Sequence, residues 1–176
     1  MHKNWKMARE SRECRRSGEA WFEWNNYKEL PSSIERLTNL TMLTLKDCKN
    51  LVHLHNAIWS LKLGNSLDLF GCSKFDNLLE NLGNVEGLEK LDLSGTAIKE
   101  LPSSIEHLTN LTVLTLKDCK NLVRLLNAIW SLKLGNSLDL SGCSKFDNLL
   151  ENLGNVKGLE KIDLSGTTIK KLPSSI

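Results

Sequence analysis

Proline and aromatic residues are scarce in this chain of 176 residues: three prolines, and ten Phe, Trp and Tyr together, or 6%. That scarcity, with 25% charged residues and a mean hydropathy of −0.26, excludes a collagen-like, mucin-like or wholly disordered chain. No apolar run approaches the ~18 residues that span a bilayer, so no membrane partner is expected. Residues 1–29 also lack the central apolar stretch of a secretory signal. Without such a signal, the five cysteines point to reduced thiols rather than a disulfide framework. Charge of one sign is lacking too, except at one place. Residues 28–176 hold 17 Lys/Arg against 17 Asp/Glu, whereas residues 1–27 hold six against four, which accounts for the whole net charge of +2. No G-x-x-x-x-G-K-[ST], G-x-S-x-G or H-E-x-x-H motif occurs, nor a Cys/His nucleophile arrangement. The expectation is a chain with no enzymatic activity, no catalytic residues and no cofactor.

What the chain has in excess is leucine, 35 residues of it, and the excess is periodic. Leu-Pro-Ser-Ser-Ile occurs at Leu30–Ile34, Leu101–Ile105 and Leu172–Ile176, at an offset of 71. Residues 30–100 and 101–171 are identical at 62 of 71 positions, and a partial unit follows. Inside each block runs a finer period of 24, 24 and 23, marked by Leu43/Leu67/Leu91 and Leu114/Leu138/Ile162. Each unit reads L-x-x-L-x-L-x-x-(C/T), as in Leu40–Leu43–Leu45–Cys48, which is the leucine-rich-repeat pattern. Alternation in Met42–Lys46 puts two leucines on one face, and a single strand cannot bury them alone. Stacked copies can. The expected fold is therefore an α/β leucine-rich-repeat solenoid of about six repeats of 23–24 residues. A curved parallel β-sheet would form its concave side and short helical or 3-10 turns its convex side. Ser32-x-x-Glu35 and Ser103-x-x-Glu106 have capping-box spacing for those turns.

Cys48, Cys72, Thr96, Cys119, Cys143 and Thr167 share one position in the unit. Small side chains with a weak donor suit a buried ladder that bonds the backbone leaving the strand. Their 24-residue intervals do not suit zinc, which favours paired Cys-x-x-Cys spacing. His53-x-His55 becomes Arg124 and Leu126 in the second block, which favours an exposed loop over a metal site. Asn39-Leu-Thr41 and Asn110-Leu-Thr112 match the glycosylation motif, which matters only in a secreted protein.

The candidate binding face is the concave one. Its outward positions form one row of Thr44, Asp68, Asp92, Thr115, Asp139 and Asp163, and another of Lys46, Phe70, Ser94, Lys117, Ser141 and Ser165. Stacked aspartates repel one another, which a purely structural surface tends to avoid. An acidic stripe flanked by Lys46 and Lys117 is thus expected to bind protein, against the alternative of a solvated face copied by duplication. Nucleic acid is not an expected partner, because the repeats are neutral and have no basic groove.

Leu91-Asp-Leu-Ser-Gly-Thr-Ala-Ile-Lys-Glu-Leu-Pro-Ser-Ser-Ile105 and Leu114-Thr-Leu-Lys-Asp-Cys-Lys-Asn-Leu-Val123 resemble one family over residues 28–176. It is the leucine-rich-repeat region of plant intracellular TIR-NBS-LRR disease resistance proteins. The resemblance implies a cytoplasmic module (nuclear entry allowed) that recognises a pathogen effector or a guarded host protein, or contacts other domains of a parent receptor. Those domains are not recognisable in this sequence. The repeats also look eroded. Gly64 and Gly135 occupy a leucine position, with Leu63 and Leu134 displaced by one residue, and losing a buried leucine costs ~2–5 kcal/mol. His55, Leu79, Leu126 and Leu150 stand where proline follows the closing leucine elsewhere. Two alternatives remain beside the recognition module: a truncated or decaying gene fragment without activity, and an extracellular receptor repeat domain.

Residues 1–27 match no repeat. They combine six basic residues between Lys3 and Arg16 with five of the ten aromatics. Three readings stay open for them: a basic nucleic-acid or membrane tail, a cap in which Trp21–Tyr27 folds over the first repeat, and sequence joined from elsewhere.

Overall fold

Two inward leucines separated by one outward residue recur at each repeat, and every such triplet lies in or beside a short strand. In the computed structural model, residues 19–21, 28–30, 32–61, 63–78, 82, 85, 87–135, 137–147 and 159–172 are described. Seven strands form one sheet in chain order: β1 (Glu19–Trp21), β2 (Met42–Thr44), β3 (Ser66–Asp68), β4 (Lys90–Asp92), β5 (Val113–Thr115), β6 (Ser137–Asp139) and β7 (Lys161–Asp163). All neighbouring pairs are parallel. The register aligns Leu43, Leu67, Leu91 and Leu114 across four strands, and Leu138 with Ile162 across two more. These leucines, with Leu45, Leu69, Leu93, Leu116 and Leu140 one step on, are buried in one continuous core. At ~1.5–3 kcal/mol per buried leucine, the stack rather than any single unit supplies stability.

The opposite side carries five-residue 3-10 turns at Ser32–Arg36, Asn56–Ser60, Ser103–His107 and Asn127–Ser131. The turns are where the serine spacing places them, but the capping differs from the expected box. Pro102 is the N-cap, extended at φ −66°, ψ 153° and with no side-chain cap hydrogen bond, so Ser103 lies inside the turn. The proline is replaceable because only its conformation is used. Leu126 takes the same role at φ −79°, ψ 156°. In both, the N-cap carbonyl accepts the amide three residues on, Ile105 at 3.2 Å and Ile129 at 3.1 Å. Pro31, Pro173, Leu79 and Leu150 lie outside the described residues.

The glycine irregularity is absorbed differently in the two blocks. Leu63 swings fully into the core, whereas Leu134 is only partly buried. Among the described residues the β5–β6 pairing next to it registers one pair, Thr115↔Asp139, where β2–β3 registers three.

One strand goes beyond the six counted from the leucines. β1 lies inside the 1–27 segment and pairs with β2, Ala20 opposite Leu43. Its interval is that of the repeat: Glu19 precedes Met42 by 23 residues, just as Lys90 precedes its partner Val113. Ala20 is buried where Leu91 stands one block later. Glu19–Trp21 thus continues the register of the blocks one strand further. The cap expected from Trp21–Tyr27 and the basic stretch before it lie outside the described residues, apart from the backbone of Trp21.

Candidate protein-binding face and the ladder behind it

Alternation along each strand aims every second residue away from the core. Three rows result, of which one escaped the sequence reading. Met42, Ser66, Lys90, Val113, Ser137 and Lys161 precede the aspartate row by two residues and face the same way. Lys90 and Lys161 are exposed. Together with the exposed Lys46 and Lys117 they give four ammonium groups against Asp68, Asp92, Asp139 and Asp163. The face alternates in charge and is not an acidic stripe. Strict period-two reading from Leu43 and Leu114 was enough to reveal this row.

The aspartates are half-buried, and each serves the backbone. Oδ1 of Asp68, Asp92, Asp139 and Asp163 accepts the amide two residues on, from Phe70, Ser94, Ser141 and Ser165, at 2.8–3.0 Å. Each carboxylate thereby closes the turn that leaves its strand. The Ser165 amide and hydroxyl hold Asp163 below the usual carboxylate range, with Lys161 and Lys117 adding to the effect. Lys46 Nζ lies 3.2 Å from Asp68 Oδ2. These contacts offset the mutual repulsion, so repulsion alone is no argument for binding here.

Two features on the face have no evident role in the fold. Phe70 is 46% exposed between Lys46 and Ser94 in its row, and the second block has Ser141 in its place. Beside it, across β2–β4, an open recess of about 530 Å³ is lined by Met42, Thr44, Lys46, Asn65, Ser66, Asp68, Glu89 and Lys90. Thr44 and Ser94, although in the outward rows, are buried.

Behind the sheet, Cys48, Cys72, Cys119 and Cys143 are buried, unpaired in disulfides, and stacked with Thr96 and the partly buried Thr167. The thiols of Cys72, Cys119 and Cys143 donate to the carbonyls of Leu45, Leu93 and Leu116 of the preceding unit at 3.0–3.1 Å. Thr96 and Thr167 instead donate to the carbonyls of Leu93 and Leu164 in their own units, both at 2.7 Å. The ladder therefore stitches a unit to its neighbour at Cys72, Cys119 and Cys143. The adjacent Cys48 thiol, and then burial, push Cys72 far above the usual thiol range. Cys119 and burial do the same to Cys143. Both thiols stay protonated at neutral pH and are poor nucleophiles.

This chain is 36% identical over 157 residues to TMV resistance protein N of Nicotiana glutinosa, covering 88% of the chain and 14% of that protein. It is 38% identical over 152 residues to the disease resistance-like protein DSC1 of Arabidopsis thaliana, covering 84% of the chain and 12% of the relative. The chain belongs with the leucine-rich repeats of plant disease resistance proteins. It spans about a seventh of the length of these relatives. No family model matches it. The leucine-rich repeat domain of the type III effector XopL has the same fold, with a TM-score of 0.71 at 22% identity, covering 89% of this chain and 63% of that one. The functional domain of InlJ from Listeria monocytogenes, described as including a cysteine ladder, superposes with a TM-score of 0.55 at 20% identity, covering 77% of this chain and 28% of that one.

Within this disease-resistance repeat module, His53 belongs to no group of three metal-ligating side chains among the described residues. Its Nε2 lies 3.4 Å from Glu29 Oε2, and the equivalent Arg124 lies 3.1 Å from Glu100. In both blocks a side-chain nitrogen at this position meets the acid one unit earlier. Among the described residues no cluster of three His, Cys, Asp or Glu could hold a metal, and no helix is long and apolar enough to cross a membrane.

Proposed function

We propose that this module recognises a protein in plant defence, through the part of the concave face around Phe70 and the β2–β4 recess. The observation that carries the reading is the exposed aromatic ring at a position where the near-identical second block has serine. An exposed Phe among lysines and carboxylates is the kind of anchor around which interface energy concentrates. Similarity to disease resistance proteins supports a pathogen effector, a guarded host protein or another receptor domain as the occupant. The activity is binding without catalysis, in the cytoplasm or nucleus. Lys46, Asp68, Phe70 and Asp92 are the central contact residues of this proposal, Lys117, Asp139 and Asp163 extend the same face across β5–β7, and Cys48, Cys72, Thr96, Cys119, Cys143 and Thr167 hold the sheet from behind. Residues 28–176 form the repeat domain, with the strand Glu19–Trp21 at its entrance.

The test separates charge from fold. Asp92→Asn and Asp139→Asn keep an oxygen that can accept the turn amide while removing the charge. A photo-crosslinking side chain at Ser66 is expected to capture a defence-related protein in infected leaf tissue. Capture should fall at least about tenfold with Phe70→Ser. Equal capture from the ladder-side loop residue Lys120, or capture indifferent to both the aspartate and Phe70 substitutions, contradicts the proposal. A decaying fragment is the second reading, favoured by the incompletely buried Leu134 and the single β5–β6 pair registered among the described residues, and it expects no capture at any position.

A further inference from the structure

The three outward rows of β3, β4 and β5 make a patch centred on Asp92. Phe70 and Val113 occupy two opposite corners of it, Lys117 a third, and Lys90 stands beside Val113. Among the described residues Phe70 and Val113 are the exposed large apolar side chains of this face. Equal numbers of acids and lysines do not give equal layers of charge. Asp68 and Asp92 are half-buried and each gives Oδ1 to a turn amide, while Asp68 Oδ2 also holds Lys46 at 3.2 Å. Lys90 and Lys117 are exposed on long flexible stems and form no ion pair among the described residues. Glu89, the other carboxylate lining the recess, lies outside the three rows at the entry edge of the sheet. The outermost charge over Asp92 is therefore cationic.

We infer that the protein segment seated on this patch is acidic, with carboxylates on Lys90 and Lys117 and apolar side chains on Phe70 and Val113. The inference rests on the binding reading above and adds the sign of the partner's charge. Lys90 pairs with Val113, and Lys117 follows Val113 by four residues, so the two lysines are one strand and four residues apart. That is about 14 Å between Cα positions, a span that an extended segment covers in about four residues. Phe70 and Val113 flank the line between the two lysines, one on each side. A basic segment would meet both ammonium groups before reaching carboxylates that already serve the backbone.

A random peptide library displayed on phage and selected against the immobilised full chain tests the sign of charge without the natural partner. The selected peptides are expected to be rich in Asp and Glu around an apolar residue. A synthetic peptide from that pool should bind at least about fivefold more weakly to the Lys90→Gln, Lys117→Gln double variant. Asp92→Asn removes the opposing charge and is expected to tighten the same peptide about twofold. Lys99→Gln with Lys120→Gln removes equal charge from the ladder-side loops and is expected to change the affinity by less than about twofold. Circular dichroism checks that each variant is folded. Neutral or basic selected peptides, or no selection at all, overturn the inference. So does an acidic peptide that the Lys90, Lys117 pair leaves unweakened, or that the ladder-side pair weakens as much. The binding reading fails separately, by absent capture at Ser66 from leaf tissue, whatever charge the selected peptides carry.

Discussion

At the residue scale, the turn leaving each strand is built in one of two ways, and the pair of residues that builds it changes together. Where the outward residue is aspartate, its carboxylate takes the amide two residues on and a glycine follows at positive φ, as with Asp68 and Gly71 (φ 72°). Where it is threonine, an aspartate itself adopts positive φ, Asp47 at 54° and Asp118 at 57°. The two kinds meet at neighbouring units: a Cβ on Gly71 would run into Oδ1 of Asp47, whereas one on Gly95 (φ 70°) would meet only Gly71 backbone at 3.5 Å, an ordinary contact. Gly95→Ala is therefore expected to cost about 1–2 kcal/mol from the left-handed backbone alone. Gly71→Ala is expected to cost about 1–3 kcal/mol more, the added amount for overpacking. Urea unfolding midpoints at constant m-value measure both. The excess should vanish in the Asp47→Gly background, and an excess that persists there places its cause elsewhere.

At the scale of the element, strand and ladder act together: the leucines fix the register and the ladder hydrogen bonds one unit to the next. Since Cys72 and Cys143 sit far above the usual thiol range, their reactivity reports on the stack. Alkylation by iodoacetamide at neutral pH, read site by site by mass spectrometry, is expected to leave Cys72 and Cys143 unmodified until denaturant opens the solenoid. Rapid labelling of the native chain at either site contradicts a buried ladder. The strands and the cysteine position were legible because a 24-residue period repeats the same chemistry until chance is excluded. β1 was not legible, because Ala20 stands where the pattern asks for leucine, and one small residue carries no periodic signal. The role of the aspartates was hidden for another reason. Alternation tells which face a side chain takes but not which amide lies within its reach, so four carboxylates in a row read as a surface charge when they are also turn closures.

For the whole molecule, stability is a sum over neighbours, and it is lowest where a neighbour is imperfect or absent. Among the described residues the β5–β6 junction, with Thr115↔Asp139 its registered pair and Leu134 only partly buried beside it, is such a place. The start of the sheet is better protected than the sequence alone suggests, since β1 covers the edge of β2. Amide hydrogen exchange at residue resolution tests this account most directly. Protection is expected to recur every 23–24 residues in step with β2 to β7, to weaken at β6, and to include Ala20 and Trp21. Free exchange at residues 19–21, or protection without the repeat period, would contradict it.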